Sequence, residues 1–491
     1  MVGRDMKRRS EDRGVASPQV LAVDLDGTLI KTDLLLESFW AACLKDWRTP
    51  LHAAAALFQG RAALKRCLAR RIELDVAQLP YNQAVLDRVV AWRAAGGRTA
   101  LVTASDQALA DRVAAHLGLF DEVHGSDGNS NLKSERKEAL LTARFGAQGF
   151  AYLGDHPADL PVWRRASRAL TATSSASLRG KVEEIGIPAE HLPTGRPGLF
   201  DYLRALRLHQ WVKNILVFLP IFAAHRLDAG SAVLSVLAFI AFGLTASAMY
   251  LLNDLLDLPA DRAHPRKRHR PVAAGVVPIL HASLLMPLLA VAGGALSLAI
   301  GGAFALVMVT YAVVTISYSF ALKRVPVLDI AVLAGLYTLR IVAGGLATGT
   351  PLSVWLLAFS LFFFFALAAV KRHSELVNNG GSKGGRVDGR GYEYDDLPLV
   401  PMMALSAGFV SVLVLALYID SPAVRQLYAE PALLWGVCPV VQFWIARMVL
   451  ITHRGGMTDD PIVFALKDRG SQLCGGIVGV CAGLATLGPW A

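Results

Sequence analysis

Asn253-Asp254-Leu255-Leu256-Asp257-Leu258-Pro259-Ala260-Asp261 stands at the end of a long apolar run. The spacings of 3 and 4 between its aspartates put Asp254, Asp257 and Asp261 on one face of a helix that continues out of that run. Like charges clustered at a membrane edge repel one another unless a cation bridges them. An oxygen-only set suits Mg2+, which also holds diphosphates. A solvated helix end is the alternative, but acidic residues are costly there and do nothing to orient a span. The basic run Arg266-Lys267-Arg268-His269-Arg270 follows directly. It reads equally as a topology signal, a contact to anionic lipid or a substrate-binding group.

From this stretch toward the C-terminus the chain is mostly apolar segments near the ~20 residues a helix needs to cross a bilayer. Nine spans are expected, centred near Phe218, Phe242, Leu289, Val309, Leu336, Phe362, Leu413, Cys438 and Ala482. Leu199–Trp211 mixes apolar and basic residues as an interfacial helix does. Loops alternate sides, and 253–278, 320–328, 371–398 and 452–470 carry 15 Lys/Arg against 2 in the opposite set. The positive-inside rule puts the first set in the cytoplasm. Arg340 inside the fifth span faces a polar cavity, as intramembrane arginines do, and Gly344 with Gly345 allows close helix approach. The Phe362–Phe365 run is read as lipid-facing packing. The Gly-rich loop Asn378–Gly391 is read as a flexible connection or a cover over substrate.

Toward the N-terminus the character changes. Over all 491 residues the chain is 54% hydrophobic and 18% charged with a mean hydropathy of +0.43. That excludes disorder, collagen and a disulfide scaffold. Five cysteines, odd in number and without CxxC spacing, suit a reduced compartment and no metal site. Residues 1–18 are a polar tail without the apolar core of a signal peptide. From 19 to 185 short apolar runs alternate with helical patterns, which predicts an α/β domain with a parallel sheet. Expected strands are Val20–Asp24, Arg98–Thr103, Glu122–His124, Ala151–Leu153 and Ala169–Thr171. Residues 186–199 are read as a linker and 200–491 as an all-α polytopic membrane domain.

Ligands of open α/β sheets bind beyond the carboxyl ends of the strands. There the sequence places Asp24-Leu25-Asp26-Gly27-Thr28-Leu29, Thr103-Ala104-Ser105, Lys137 and Gly154-Asp155-His156-Pro157-Ala158-Asp159. A carboxylate can attack phosphorus, and a second one two residues on can act as general acid and base. Gly27 allows a tight turn. Two further carboxylates can hold Mg2+, while Thr103 and a lysine suit phosphoryl oxygens.

The DxDGT and GDxxxD matches resemble the haloacid dehalogenase phosphohydrolase superfamily over roughly residues 19–185. The resemblance implies Asp24 as nucleophile and Asp26 as acid/base. It implies Thr103 and Lys137 at the phosphate, and Mg2+ on Asp24, Asp155 and Asp159. Lys133 competes with Lys137, because Asn131-Leu132-Lys133 also lies near the expected place. The helical insert from Asp33 to about Gln83 sits where that family carries a substrate-selecting cap.

NDxxDxxxD followed by KRxRPVAAG, in a chain with nine expected spans, is similar to the UbiA superfamily of intramembrane prenyltransferases over 200–491. Its aromatic prenyltransferases carry a second DxxxD after the sixth span. Here that place reads Lys371-Arg372-His373-Ser374-Glu375, which suits an anion better than a second Mg2+. Together with QWVKN and DIxxL…LR…AGG, this resembles the branch that joins phosphoribosyl diphosphate to a polyprenyl phosphate on the cytoplasmic face. The implied site is Asp254, Asp257 and Asp261 on Mg2+, with Lys213, Asn253, Arg270, Lys323, Arg340, Lys371, Arg372 and Glu375 at substrate. Asp459, Lys467, Asp468 and Arg469 add charge of both signs in the last cytoplasmic loop.

The net charge of +10 then belongs to the membrane face and to phosphate binding, not to nucleic acid. A homo-oligomer is compatible with this reading. Joined in one chain, the halves suggest that the phosphatase removes the 5-phosphate left on the transferase product. The alternatives are an aromatic prenyltransferase using a polyprenyl diphosphate, a transporter, and a haloacid dehalogenase-like half that only binds or regulates.

Overall fold

The computed structural model describes residues 20–487 except 70, 72–73, 127–131, 380–384, 386–390 and 458–459. Asn131, Asp459 and most of the loop 378–391 thus lie outside the described residues. The chain divides into two compact units: Met1–Ala205 with Leu251–Leu284, and Leu206–Tyr250 with Leu285–Ala491.

In the first unit β1 (Val20–Val23) leads to α1 (Leu34–Lys45), α2 (Thr49–Phe58) and α3 (Arg61–Ala69). The chain returns through α4 (Gln83–Ala94) to β2 (Arg98–Asp106). Then follow α5 (Gln107–Leu117), β3 (Glu122–Ser126), α6 (Glu135–Phe145), β4 (Phe150–Gly154), α7 (Leu160–Trp163), β5 (Arg168–Thr171), α8 (Ala176–Glu183), β6 (Ala189–His191) and α9 (Leu199–Ala205). The six strands are parallel in the order β3-β2-β1-β4-β5-β6. Val20-Leu21-Ala22-Val23 is apolar throughout because a central parallel strand is covered on both faces. Leu21 and Val23 join Leu101 and Leu153 in one layer, and Val20 and Ala22 join Phe150, Tyr152 and Trp163 in the other. With β2 on one side of β1 and β4 on the other, the strand order reverses at β1. The crevice opens at its carboxyl end, where Asp24 N bonds Leu153 O at 2.9 Å.

The five expected strands are present, and the stretch read as a linker holds a sixth. Ala189–His191 pairs with β5 from the sheet edge. An Ala-Glu-His strand has no apolar alternation to announce it. Backbone pairing and the ion pairs of Glu190 with Arg88 and Arg168, at 2.9 and 3.1 Å, hold it instead.

Beyond α9 a 3-10 segment, Leu208–Phe218, runs into α10 (Leu219–Ala223). The remaining helices are α11 (Ala229–Leu256), α12 (Leu258–Ala263), α13 (Ile279–Ile300), α14 (Gly302–Phe320), α15 (Leu328–Thr348), α16 (Val354–Asn379), α17 (Leu399–Ile419), α18 (Pro422–Leu427), α19 (Val437–His453), α20 (Pro461–Lys467) and α21 (Arg469–Leu487). Among the described residues 8 helices are long and apolar enough to cross a membrane. The span expected at Phe218 is the shorter stretch Leu208–Ala223. Its polar Gln210-Trp211-Val212-Lys213-Asn214 start and Pro220, which has no N–H to give, divide it into two pieces.

Within the second unit an added Cβ at Gly344 would collide with the Val217 carbonyl, so glycine permits that approach. The Phe362–Phe365 run does not share one environment. Phe362 is exposed, whereas Phe364 is buried and stacks on Tyr337 with ring centroids 4.9 Å apart. Successive helical residues point about 100° apart, so a run of four cannot all face lipid.

Candidate active sites

At the carboxyl end of β1 the backbone turns through Gly27 at φ +77, a conformation that favours glycine. A Cβ there would strike the Asp155 carboxylate, so Gly27 also makes room for it. Carboxylate oxygens of Asp24, Asp155 and Asp159 lie within 4.8 Å of one another. Lys137, buried on α6, donates from Nζ to Asp24 Oδ1 at 2.9 Å, to Tyr152 OH at 2.9 Å and to Asp159 Oδ1 at 3.4 Å. Lys133 is exposed, so the lysine in the crevice is Lys137.

Burial sets the acidity of this cluster. It pushes Asp155 up to about 8, with the charges of Asp24 and Asp159 adding to the effect. It also raises Asp24, against the pull of Lys137. Burial opposes charge on Lys137, but Asp24 and Asp159 outweigh it and the lysine stays protonated. Three converging carboxylates facing one ammonium have room in their charge balance for a divalent cation, and their all-oxygen set fits Mg2+.

Asp26 points elsewhere. Its Oδ1 accepts from Leu34 N at 2.8 Å and its Oδ2 from Ser105 Oγ at 2.5 Å. Burial, with Asp33 adding repulsion, pushes Asp26 up to about 7. A carboxyl at that value can give and take a proton near neutral pH. Thr103 is fully buried, accepts from Ser105 N at 2.9 Å and lies 3.4 Å from Asp26 Oδ2. The closer hydroxyl, Ser105, is the one that inspection of the sequence passes over, although Thr103-Ala104-Ser105 carries it.

The aspartate-rich stretch is helical almost throughout. Asp257 N bonds Asn253 O at 2.9 Å and Asp261 N bonds Asp257 O at 2.8 Å across the small break between α11 and α12. Asp254 and Asp261 are buried, and Arg270 Nη1 joins them at 3.2 and 2.5 Å. Burial raises the Asp261 carboxyl and Arg270 opposes the rise. The pair therefore already shares one positive charge, and among the described residues the three acids whose carboxylate oxygens converge within 4.8 Å are Asp24, Asp155 and Asp159, not Asp254, Asp257 and Asp261. Asn253 and Asp257 are half-buried on the same stretch.

In the second unit Arg340 is buried on α15. Its Nε donates to Asn214 Oδ1 at 3.0 Å and its Nη1 to Leu336 O at 2.6 Å. The rings of Phe242, Tyr311 and Tyr337 surround it at 5.0, 5.2 and 5.5 Å. These partners are all neutral, and Asn214 Nδ2 has no partner among the described residues. Lys213 is paired with Asp460. Burial works against the Asp460 charge, but Lys213 and Lys371 hold its carboxyl below the ordinary range. Lys323 is half-buried in a 3-10 turn, Leu322–Arg324.

Arg372, expected at an anion, is committed to carboxylates. It meets Asp329 at 2.7 Å and is also paired with Glu375, while Tyr392 OH donates to Asp329 Oδ1 at 2.7 Å. Asp329 stands at the head of DIxxL, and Asp460 adjoins Asp459 in the last cytoplasmic-side loop of the sequence pattern. Asp468 holds Arg447 at 2.5 and 3.0 Å and accepts from Ser471 N, so it fastens the start of α21.

Residues 215–460 match the model of the UbiA prenyltransferase family. The chain belongs to the UbiA prenyltransferase family. Residues 21–164 match haloacid dehalogenase-like hydrolase, so this UbiA-family protein is an enzyme with a second enzyme fold joined to its multi-pass membrane domain. The uncharacterized protein y4nM of Sinorhizobium fredii is 41% identical over 462 residues, covering 93% of this chain and 89% of the relative. A decaprenyl-phosphate phosphoribosyltransferase of Mycolicibacterium smegmatis is 37% identical over 280 residues, 55% of this chain and 87% of that enzyme. Among solved structures, a UbiA homolog from Archaeoglobus fulgidus bound to GPP and Mg2+ is similar with a TM-score of 0.42 and 17% identity. That match covers 58% of this chain and 100% of the homolog.

Proposed function

We propose that the UbiA-family half joins phosphoribosyl diphosphate to a polyprenyl phosphate and that the haloacid dehalogenase-like half removes the 5-phosphate of the product. Both reactions are assigned to the cytoplasmic side of the inner membrane. The observation that carries the transfer reading is the 37% identity to a decaprenyl-phosphate phosphoribosyltransferase over 87% of that enzyme. The buried Arg340 guanidinium, whose partners are all neutral, supports it.

In the transfer, a polyprenyl phosphate oxygen bonds to the ribose C1 as the bond from C1 to the diphosphate oxygen breaks. Mg2+ on Asp254, Asp257 and Asp261 would supply charge to the departing diphosphate. Arg270, released from the two aspartates, would turn its guanidinium to a phosphate, with Asn253 beside it. Lys213, Lys323, Arg340 and Lys371 are assigned to the remaining phosphate charges. Arg372, engaged by Asp329 and Glu375, is given no substrate contact in this scheme.

In the hydrolysis, Asp24 attacks phosphorus and Asp26 gives a proton to the departing ribose oxygen. Asp26 then takes a proton from the water that opens the aspartyl phosphate. Lys137 and Thr103 are assigned to the phosphoryl oxygens. Mg2+ on Asp24, Asp155 and Asp159 would neutralise them.

The test supplies purified protein with phosphoribosyl diphosphate, polyprenyl phosphate and Mg2+. Lipids are followed by mass spectrometry and free phosphate in parallel. The reading expects polyprenyl-phosphoryl ribose from wild type and its 5-phosphate from Asp24→Asn. Equal phosphate release from both proteins sinks the phosphatase assignment.

A further inference from the structure

A buried charge must be matched by a partner, and the position of the match shows what it holds together. Glu37 lies on α1 of the haloacid dehalogenase-like half, and Arg262 lies on α12, one residue past Asp261. Both belong to the first compact unit. Arg262 Nη1 donates to Glu37 Oε2 at 3.0 Å and Nη2 to Glu37 Oε1 at 2.5 Å, with the two side chains 8% and 2% exposed. The other polar atoms are also engaged. Arg262 Nε donates to Ala273 O at 2.9 Å, and Thr32 Oγ1 donates to Glu37 Oε1 at 2.7 Å.

Neighbouring contacts join the same two stretches. Trp40 Nε1 donates to Ser283 Oγ at 2.9 Å. Gly275, at φ +68, lies so close to Lys31 that an added Cβ would stand 2.8 Å from the Lys31 Cβ.

Each end of the pair adjoins a group assigned to chemistry. Asp26 Oδ1 is held by the N–H of Leu34, the first residue of the helix that carries Glu37. Arg262 is covalently next to Asp261, which Arg270 ties to Asp254. A two-pronged guanidinium–carboxylate pair fixes orientation as well as distance. We propose that Glu37 and Arg262 are a positioning pair through which the phosphatase half orients Asp261, and with it the aspartate motif that receives the diphosphate donor. This rests on the function proposed above. A substitution in the phosphatase half therefore alters how the transferase handles its donor.

The experiment uses the full chain in nanodiscs and compares wild type with Glu37→Gln, Arg262→Gln, the double variant and Glu37→Asp. Three quantities are read: the melting temperature, KM and kcat for phosphoribosyl diphosphate, and Mn2+ affinity by electron paramagnetic resonance. The Mn2+ arm is run in an Asp24→Asn background to weaken the other metal cluster. Each single neutralisation leaves a buried charge unmatched and lowers the melting temperature. The double variant leaves none, and it should melt like wild type.

If the pair positions, the double variant keeps a KM and a Mn2+ dissociation constant raised on the order of tenfold, with kcat little changed. If it only stabilises, the double variant recovers all three readouts, and the proposal is overturned. Should the double variant fail to fold, Glu37→Asp decides. A raised KM or weakened Mn2+ binding at wild-type melting temperature supports positioning, and unchanged values overturn it. If wild type does not consume phosphoribosyl diphosphate, the functional reading falls by itself, and the Mn2+ arm still decides the pair.

Discussion

Lys137 Nζ stands 2.9 Å from Asp24 Oδ1, although 113 residues separate them in the chain. The ammonium offsets the buried charge of the carboxylate assigned to attack phosphorus, and under the proposed function it is assigned to the phosphoryl oxygens as that bond forms. Lys137→Met should lower the rate of phosphate release by about 10²-fold or more. Lys133→Met, at an exposed position, should stay near wild type. Release of free phosphate from a phosphomonoester is the measurement.

Asp26 should leave its mark on the pH profile. Its carboxyl lies at about 7 through burial and the charge of Asp33. Water activation needs the deprotonated form, so turnover limited by that step rises as pH climbs through this value. Ser105→Ala removes a hydrogen bond that lowers the Asp26 value, so the rising limb moves to higher pH. Asp33→Asn removes repulsion and moves it to lower pH, while an Asn can still cap α1. Pre-steady-state decay of the phosphoenzyme against pH distinguishes these three proteins.

Asp155 should tie the proposed Mg2+ binding to stability. Its folded-state value of about 8 lies above the ordinary carboxylate value. The folded, metal-free protein therefore binds more protons than the unfolded chain over that interval. Its stability falls as pH rises from the ordinary carboxylate range to about 8 and levels off beyond. Mg2+ requires the deprotonated carboxylates, so its stabilising effect should be larger above pH ~8 than well below it. Thermal melting with and without Mg2+ at the two pH values reads the difference.

Gly27 should not tolerate a methyl group. Gly27→Ala combines a left-handed backbone with a clash against Asp155. A cost above about 1 kcal/mol is expected, together with loss of phosphatase activity, in denaturant titrations followed by phosphate release.

Arg372→Met would leave Asp329, 0% exposed, without its guanidinium partner at 2.7 Å. Breaking a buried pair from one side costs roughly 3–5 kcal/mol. The double variant Arg372→Met/Asp329→Asn should recover much of that loss. Melting in detergent compares the two.

Local chemistry carried a large part of the reading. A four-residue apolar strand followed by DxDGT can be recognised without its partners, because a central parallel strand is apolar throughout and the motif after it is contiguous in the chain. Spacings of 3 and 4 likewise align Asp254, Asp257 and Asp261, since they are a property of any helix. What failed had no local signature. The edge strand Ala189–His191 is held by backbone pairing to β5, which no side-chain pattern records. The four phenylalanines from 362 to 365 look like one apolar block until helical rotation divides them between outside and core.

The amino-acid sequence by itself determined the two fold types, the place of each carboxylate motif and the charge asymmetry of the loops. All of these depend on composition and on spacing within one element. Only the tertiary structure decided which charges meet. It put Lys137 rather than Lys133 on Asp24, placed Arg270 between Asp254 and Asp261, committed Arg372 to Asp329, and brought Glu37 to Arg262. A charge pair depends on distance in space, and 225 residues of chain between Glu37 and Arg262 say nothing about the few ångströms that join them.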